Sequence, residues 1–227
     1  MRKLKVASQW VLIVVIGVLL LPLVAGCRGV QQAKQEVVVV ARLLADIENV
    51  DPAYITAVSD QYIATNVYSG LVRYKPGTGE IEPDLAEDWD ISPDGLVYTF
   101  HLRRGVKWHK GMGELTSEDV KYSFERILDP ATKSLNKLYL EQVADIKTPD
   151  KYTVQIKLKE PYAPFLAGLA YRAGWIVNKK GVEAGGKEYG RQPVGTGPFV
   201  FSSYQPGVEV VLAANPDYFG GKPKVDT

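Results

Sequence analysis

The chain has 227 residues with 27 Lys and Arg against 26 Asp and Glu, so it offers no concentrated positive field for nucleic acid. Its only cysteine is Cys27, which excludes an internal disulfide framework and an internal thiolate metal cluster. The length left after a short leader suffices for one large or two small domains with a sizeable core.

Arg2, Lys3 and Lys5 precede an apolar run over residues 10–21, and Val24-Ala25-Gly26 places small residues before Cys27. The run is short for a membrane span, is followed by Pro22 and ends at residues suited to cleavage. Residues 1–27 therefore read as a bacterial lipoprotein signal rather than a plain transmembrane anchor. Residues 28–36 are a short polar tether. Val37 to Val40 is a continuous β-branched run, the pattern of a strand buried on both faces, and is expected to open the core. A helix is expected over residues 60–69, with Ile63 and Val67 inward and Gly70 at its end. A short strand follows over residues 71–74. Lys75-Pro76-Gly77-Thr78-Gly79 is a breaker cluster and a domain boundary.

Ser92-Pro93-Asp94-Gly95 carries turn chemistry: proline presets φ, aspartate bonds nearby backbone and glycine accepts positive φ. Beyond it Leu96, Tyr98, Phe100 and Leu102 alternate with Val97, Thr99 and His101, a strand with one aromatic face that completes a hairpin. A third strand is expected at Val106-Lys107-Trp108. Thr116-Ser117-Glu118-Asp119 is a helix start of the capping-box kind, Val120, Phe124 and Ile127 follow at helical spacing, and Pro130 closes the helix. A short helix is expected over residues 138–143, then a Pro149-Asp150 turn and a half-exposed strand over residues 152–158. A proline-started helix is expected over residues 161–169. Residues 179–191, rich in glycine and charge, mark a second boundary, and residues 199–204 and 208–213 read as two strands. The expected architecture is an α/β lobe in two parts, 37–74 and 191–227, interrupted by a small α+β satellite at 75–190.

Chemical motifs are sparse. Gly195-Thr196-Gly197 could approach a phosphate, but Pro198 follows, then a strand, with no Lys-Ser/Thr pair. Asp88, Asp90, Ser92 and Asp94 fail calcium-loop spacing, since the sixth position is Pro93 and the twelfth Thr99. His101 and His109 flank a turn but have no matching third ligand. Neither Gly-x-Ser-x-Gly nor His-Glu-x-x-His is present, and Glu118-Asp119 is explained by the helix dipole. No catalytic residue, metal or cofactor is expected, and the tyrosines and tryptophans are read mainly as core.

Several blocks recur in a specific order: Leu85-Ala86-Glu87-Asp88-Trp89, Ser92-Pro93-Asp94-Gly95, Tyr98-Thr99-Phe100-His101-Leu102-Arg103, Gly105-Val106-Lys107-Trp108-His109 and the helix from Leu115 to Arg126. With Val67-Tyr68-Ser69-Gly70-Leu71, Pro193-Val194-Gly195-Thr196-Gly197-Pro198-Phe199 and Asn215-Pro216-Asp217-Tyr218, they resemble the peptide-type, family 5 extracellular solute-binding proteins of ABC importers. The loop Gly111-Met112-Gly113-Glu114-Leu115 is a residue longer than the family's and lacks its frequent proline. The resemblance implies a type II periplasmic-binding-protein lobe, present in part, of a two-lobed clamp that closes on a solute and presents it to a membrane permease. Oligopeptide is the commonest solute, Cys27 would carry lipid at the outer face of the cytoplasmic membrane, and no nucleic acid is involved. Gly195 to Gly197 becomes a close turn where the chain re-enters the first lobe. A bound solute would touch the backbone between first strand and first helix, here Thr56, Ala57, Val58 and Ser59, with Asp60 opening the helix. An ordinary surface loop at these positions, and a truncated surface lipoprotein acting as a structural or interaction module, stay open as alternatives.

Overall fold

The computed structural model describes residues 38–40 and 45–227. The leader, Cys27 and the tether lie outside the described residues, as does Val37. Among the described residues no helix is long and apolar enough to cross a membrane.

The first regular element is α1 (Val58–Val67), followed by a small antiparallel pair, β1 (Val72–Tyr74) and β2 (Ile81–Pro83), joined through the expected 75–79 turn. The main sheet comprises β3 (Ala86–Ile91), β4 (Val97–Leu102), β5 (Val143–Asp150) and β6 (Thr153–Leu158) in the order β3-β4-β6-β5, every pair antiparallel. The 92–95 turn is built as its residues dictate: Asp94 Oδ1 accepts the Leu96 N–H at 3.0 Å, Ser92 Oγ accepts the Val97 N–H at 2.8 Å, and Gly95 takes φ +70°. Phe100 pairs with Val154 and Tyr98 with Ile156, so the large side chains of neighbouring strands stand together on the buried face. Burying a side chain such as Phe100 contributes about 2–3 kcal/mol.

The helix α2 (Ser117–Leu128) starts at Thr116, whose N–H donates to Asp119 Oδ2 at 2.8 Å, and places Val120, Phe124 and Ile127 in the core. Shorter helical stretches follow, among them a 3-10 turn over Leu135–Tyr139, α3 (Phe165–Leu169) and α4 (Lys179–Gly185). A second pair, β7 (Phe199–Gln205) and β8 (Glu209–Ala214), ends the regular structure. One apolar cluster runs without a break from Ile47 to Phe201.

Several expectations are corrected. Val38, Val39 and Val40 form no strand and are 54%, 64% and 91% exposed; β-propensity reports fit to a pleated surface, and no pleated neighbour covers them among the described residues. Residues 106–108 contribute only an isolated bridge, Lys107 to Glu114, because the backbone turns sharply at His109–Gly111. The short helix placed over 138–143 lies at Leu135–Tyr139 instead, capped by Ser134, and Val143 already belongs to β5. Pro149 and Asp150 are in β5 rather than a turn, which proline tolerates because β5 is an edge strand. Residues 179–191 are largely helical, started by Asn178 Oδ1 accepting the Gly181 N–H at 2.8 Å. The helix expected over 60–69 begins at Val58 and ends at Val67, with Tyr68 extended, since the Val67 carbonyl also accepts the Gly197 N–H at 2.9 Å. Gly70 instead bridges to Trp175.

Candidate functional site

The backbone before α1 is irregular, and distant side chains hold it. Asp51 and Arg126 form a two-pronged ion pair at 2.8 and 2.6 Å, both side chains largely out of water. Ser134 Oγ donates to the Ala53 carbonyl at 2.6 Å, and Asn136 Nδ2 donates to the carbonyls of Pro52 and Ile55 at 2.8 and 3.0 Å. Arg172 donates from one terminal nitrogen to the carbonyls of Ile55 and Thr56, both at 3.3 Å, while its guanidinium lies 4.6 Å over the Tyr171 ring.

The five residues singled out from sequence meet at this point, with different roles. Thr56 is exposed, Ala57 is extended (φ −80°, ψ 148°) and half-buried, and Val58 is the first residue of α1 and 57% exposed. Ser59 is buried, its hydroxyl on the Asp46 carbonyl at 3.3 Å. Asp60 does not open the helix. It is the third residue of α1, buried in its first turn, and its carboxylate accepts the N–H groups of Glu48 and Asn49 at 2.8 and 3.1 Å. Burial raises its pKa and those two donors oppose the rise. No side chain caps α1, and among the described residues the N–H groups of Thr56, Ala57 and Val58 donate to no protein acceptor. Several large apolar side chains of these segments, Tyr54, Val58, Tyr62, Leu135 and Leu138, stand substantially in water.

Sequence reasoning assigned no role here to Arg126, Ser134, Asn136 or Arg172, since each acts on a partner tens of residues away: Arg126 on the Asp51 carboxylate, the other three on backbone carbonyls.

At the far end of α1 the Gly195-Thr196-Gly197 turn packs directly on backbone. A Cβ on Gly195 would stand 2.0 Å from the Val67 carbonyl oxygen. His109 is buried and clamps the same turn: Nδ1 accepts the Gly195 N–H at 3.3 Å and Nε2 donates to the Gly197 carbonyl at 3.0 Å. Burial lowers its pKa, which suits the neutral ring this arrangement needs. His101 lies instead on the hairpin surface, 3.2 Å from Asp90. The two histidines thus have separate structural partners, and the described residues contain no group of three or more His, Cys, Asp or Glu able to hold a metal.

Two surface hollows lie away from residues 56–60. One, of about 520 Å³, is lined by Lys107, Trp108, Lys110, Glu114, Val200 and Asp217 among others. The other, of about 150 Å³, is lined by Arg73, Asp84, Arg103, Tyr218 and Phe219 among others. Asp84 is buried there, accepts the Gly70 N–H at 3.0 Å, and has its pKa pushed up to about 6 by burial.

The chain is similar to known proteins in sequence and in fold. Residues 80–227 match the family described as bacterial extracellular solute-binding proteins, family 5 Middle. The chain is 39% identical over 201 residues to di/tripeptide-binding protein 2 of Pseudomonas aeruginosa, covering 79% of this chain and 38% of that protein. Among solved structures it is similar to a periplasmic binding protein from A. tumefaciens R10 in complex with mannopinic acid (39% identity, TM-score 0.77, 80% of this chain and 38% of that one). It is also similar to an ABC transporter-associated periplasmic binding protein from Helicobacter pylori in complex with the peptide STSA (39% identity, TM-score 0.73, 80% of this chain and 40% of that one). The chain therefore spans well under half the length of these relatives, and the fold they share with it is that of type II periplasmic binding proteins. With the matched region covering well over half of its residues, the chain belongs to the bacterial extracellular solute-binding proteins of family 5.

Proposed function

We propose that this chain is the N-terminal part of the solute-binding component of an ABC importer, which captures a peptide or similar small solute in the cell envelope and delivers it to a membrane permease. The observation that carries the reading is that the run of backbone N–H groups at Thr56, Ala57 and Val58, ahead of Ser59 and Asp60, has no acceptor among the described residues. An extended ligand held through its own carbonyls is recognised whatever its side chains, which is how one site serves many peptides. The relatives in complex with a peptide and with mannopinic acid support a small polar solute and do not single one out. The function is capture rather than catalysis. In this reading residues 37–74 and 191–227 belong to the first lobe, 75–190 form the satellite, and the apolar surface around Tyr62 and Leu135 awaits a second lobe.

Titration calorimetry with trialanine on the complete protein tests the site. Proline at the first position of a helix is well tolerated, and Ala57 already has the extended backbone that a following proline requires, so Val58→Pro should fold normally while losing one donor. Its affinity should fall about tenfold, the worth of roughly one hydrogen bond. Residues 28–227 alone should bind no tighter than about millimolar, since small-molecule sites bury about 70–90% of a ligand and one lobe cannot. Unchanged affinity in folded Val58→Pro, or micromolar binding by residues 28–227, would overturn the assignment. Anchoring through Cys27 is a separate arm: labelling with a radioactive fatty acid should vanish in Cys27→Ser, and equal labelling would remove the anchor.

A further inference from the structure

We infer that Arg172 is the positioning residue of this site: with Asn136 it fixes two consecutive carbonyls on the inner side of the 55–57 backbone and thereby aims the following N–H groups outward, at the solute. The inference rests on the reading of residues 56–60 as the solute contact.

The geometry follows from the planarity of the amide. In a trans peptide unit the C=O and the next N–H point in opposite directions, and none of the described peptide bonds is cis. The Ile55 carbonyl accepts from Asn136 Nδ2 at 3.0 Å and from Arg172 at 3.3 Å, so the Thr56 N–H points away from them. The Thr56 carbonyl accepts from Arg172 at 3.3 Å, so the Ala57 N–H does the same. These two donors join that of Val58, at the uncapped start of α1, in one outward-facing set without an acceptor among the described residues.

Arg172 is itself braced. Its second terminal nitrogen donates to the Tyr171 hydroxyl, its guanidinium lies over the Tyr171 ring, and that hydroxyl donates onward to Gln61 Oε1 at 3.1 Å, on the exposed side of α1. Tyr139 packs edge-on against Tyr171 with ring centroids 5.4 Å apart. Among the described residues no carboxylate lies within ion-pair distance of Arg172, so its cation is committed to backbone carbonyls and a tyrosine rather than to a salt bridge. A planar guanidinium can hold two carbonyls and stack at once. Lysine can replace the charge and part of the hydrogen bonding but not the stacking.

The test compares trialanine with the two depsipeptides in which one or the other of its two amides is an ester, a weaker carbonyl acceptor, in the complete protein. Wild type should prefer the amide to at least one ester by about tenfold, the worth of roughly one good backbone hydrogen bond. In Arg172→Met that preference should shrink toward unity as trialanine affinity falls about tenfold, and Arg172→Lys should restore part of it. A residue that merely stabilised the fold would weaken amide and esters equally and leave the ratio intact. As a ligand-free readout, the backbone carbonyl carbon resonances of Ile55 and Thr56 should move in Arg172→Met. An unchanged ligand ratio, or unmoved carbonyl resonances, overturns the inference. A folded wild-type protein that binds no di- or tripeptide overturns the reading on which it rests, while the carbonyl resonances still report whether Arg172 holds the backbone.

Discussion

The four-stranded sheet with α2 and the backbone leading into α1 are built by opposite means. In the sheet, apolar side chains at period 2 and period 3.6 bury Phe100, Val154, Ile156, Phe124 and Ile127, and the backbone satisfies itself along the ladders. Around residues 46–57 the backbone makes few bonds to itself. It is hung from Arg126, Ser134, Asn136 and Arg172 by side-chain donors and by the buried Asp51. A self-satisfied ladder has nothing left to offer a ligand. A backbone held from one side only can leave its donors free on the other.

The largest expected effect comes from breaking the suspended region at its ion pair. Arg126→Met leaves the Asp51 carboxylate buried without its partner, and losing one member of such a pair costs about 3–5 kcal/mol. Urea unfolding should show that loss. Native-state hydrogen exchange should show it first as faster exchange at Tyr54 and Ile55, whose N–H groups bond the Asp51 carbonyl, while the amides of β4 and β6 stay protected until global unfolding. Uniform acceleration across both regions would erase the contrast. A second substitution, Asp51→Asn, should recover part of the stability by removing the stranded charge.

The same contrast explains what could be read in advance. The 92–102 hairpin, α2, β6 and the β7–β8 pair were legible because their patterns are local: a turn tetrapeptide, a capping box, strict alternation. β5 was not, since bulges between Val143 and Asp145 and between Lys147 and Asp150 break its alternation. The family blocks placed the chain correctly although the valine run at 38–40, the strongest local strand signal, is exposed. Of the proposed site, the small residues before α1 could be singled out from sequence, but Asp60 was misread as a helix opener, because nothing near it in sequence shows that its carboxylate is used by Glu48 and Asn49.

A second prediction uses pH to sharpen the comparison at the β1–β2 pair. Asp84 has its folded pKa raised to about 6 from the 3.8 of an unperturbed aspartate, so between those values the folded protein binds more protons than the unfolded one. Stability through this group therefore rises as pH falls from 7 to 4, by about 2–3 kcal/mol, against the usual trend for carboxylates. Glu114 has the opposite sign. The Lys151 ammonium, the Gly105 N–H and the Tyr152 hydroxyl lower its pKa to about 2, so its contribution is present above the ordinary glutamate range and is lost as pH falls toward 2. Asp84→Asn keeps an acceptor for the Gly70 N–H and removes the titration. It should be more stable than wild type at pH 7 and indistinguishable from it near pH 4. Parallel melting curves from pH 4 to 7 would rule Asp84 out as the source.

The smallest effect concerns backbone strain. Lys110 and Lys133 are the two described non-glycine residues with positive φ, at 57° and 53°. A side chain in that region costs about 1–2 kcal/mol, while replacing it by glycine loosens the unfolded chain by about 0.4–1 kcal/mol, so each lysine-to-glycine change should raise stability by at most about 1.6 kcal/mol. The two sites differ in what they adjoin. Lys133 merely closes the 130–132 turn, whereas Lys110 follows His109, the clamp on the Gly195–Gly197 turn, and its positive charge helps lower the pKa of that imidazole. Lys133→Gly should thus change the melting temperature alone. Lys110→Gly should give a similar gain and also let the His109 pKa rise, measurable by NMR titration of its ring protons. If Lys110→Gly destabilised the protein while Lys133→Gly stabilised it, the left-handed lysine would be holding His109 against the turn.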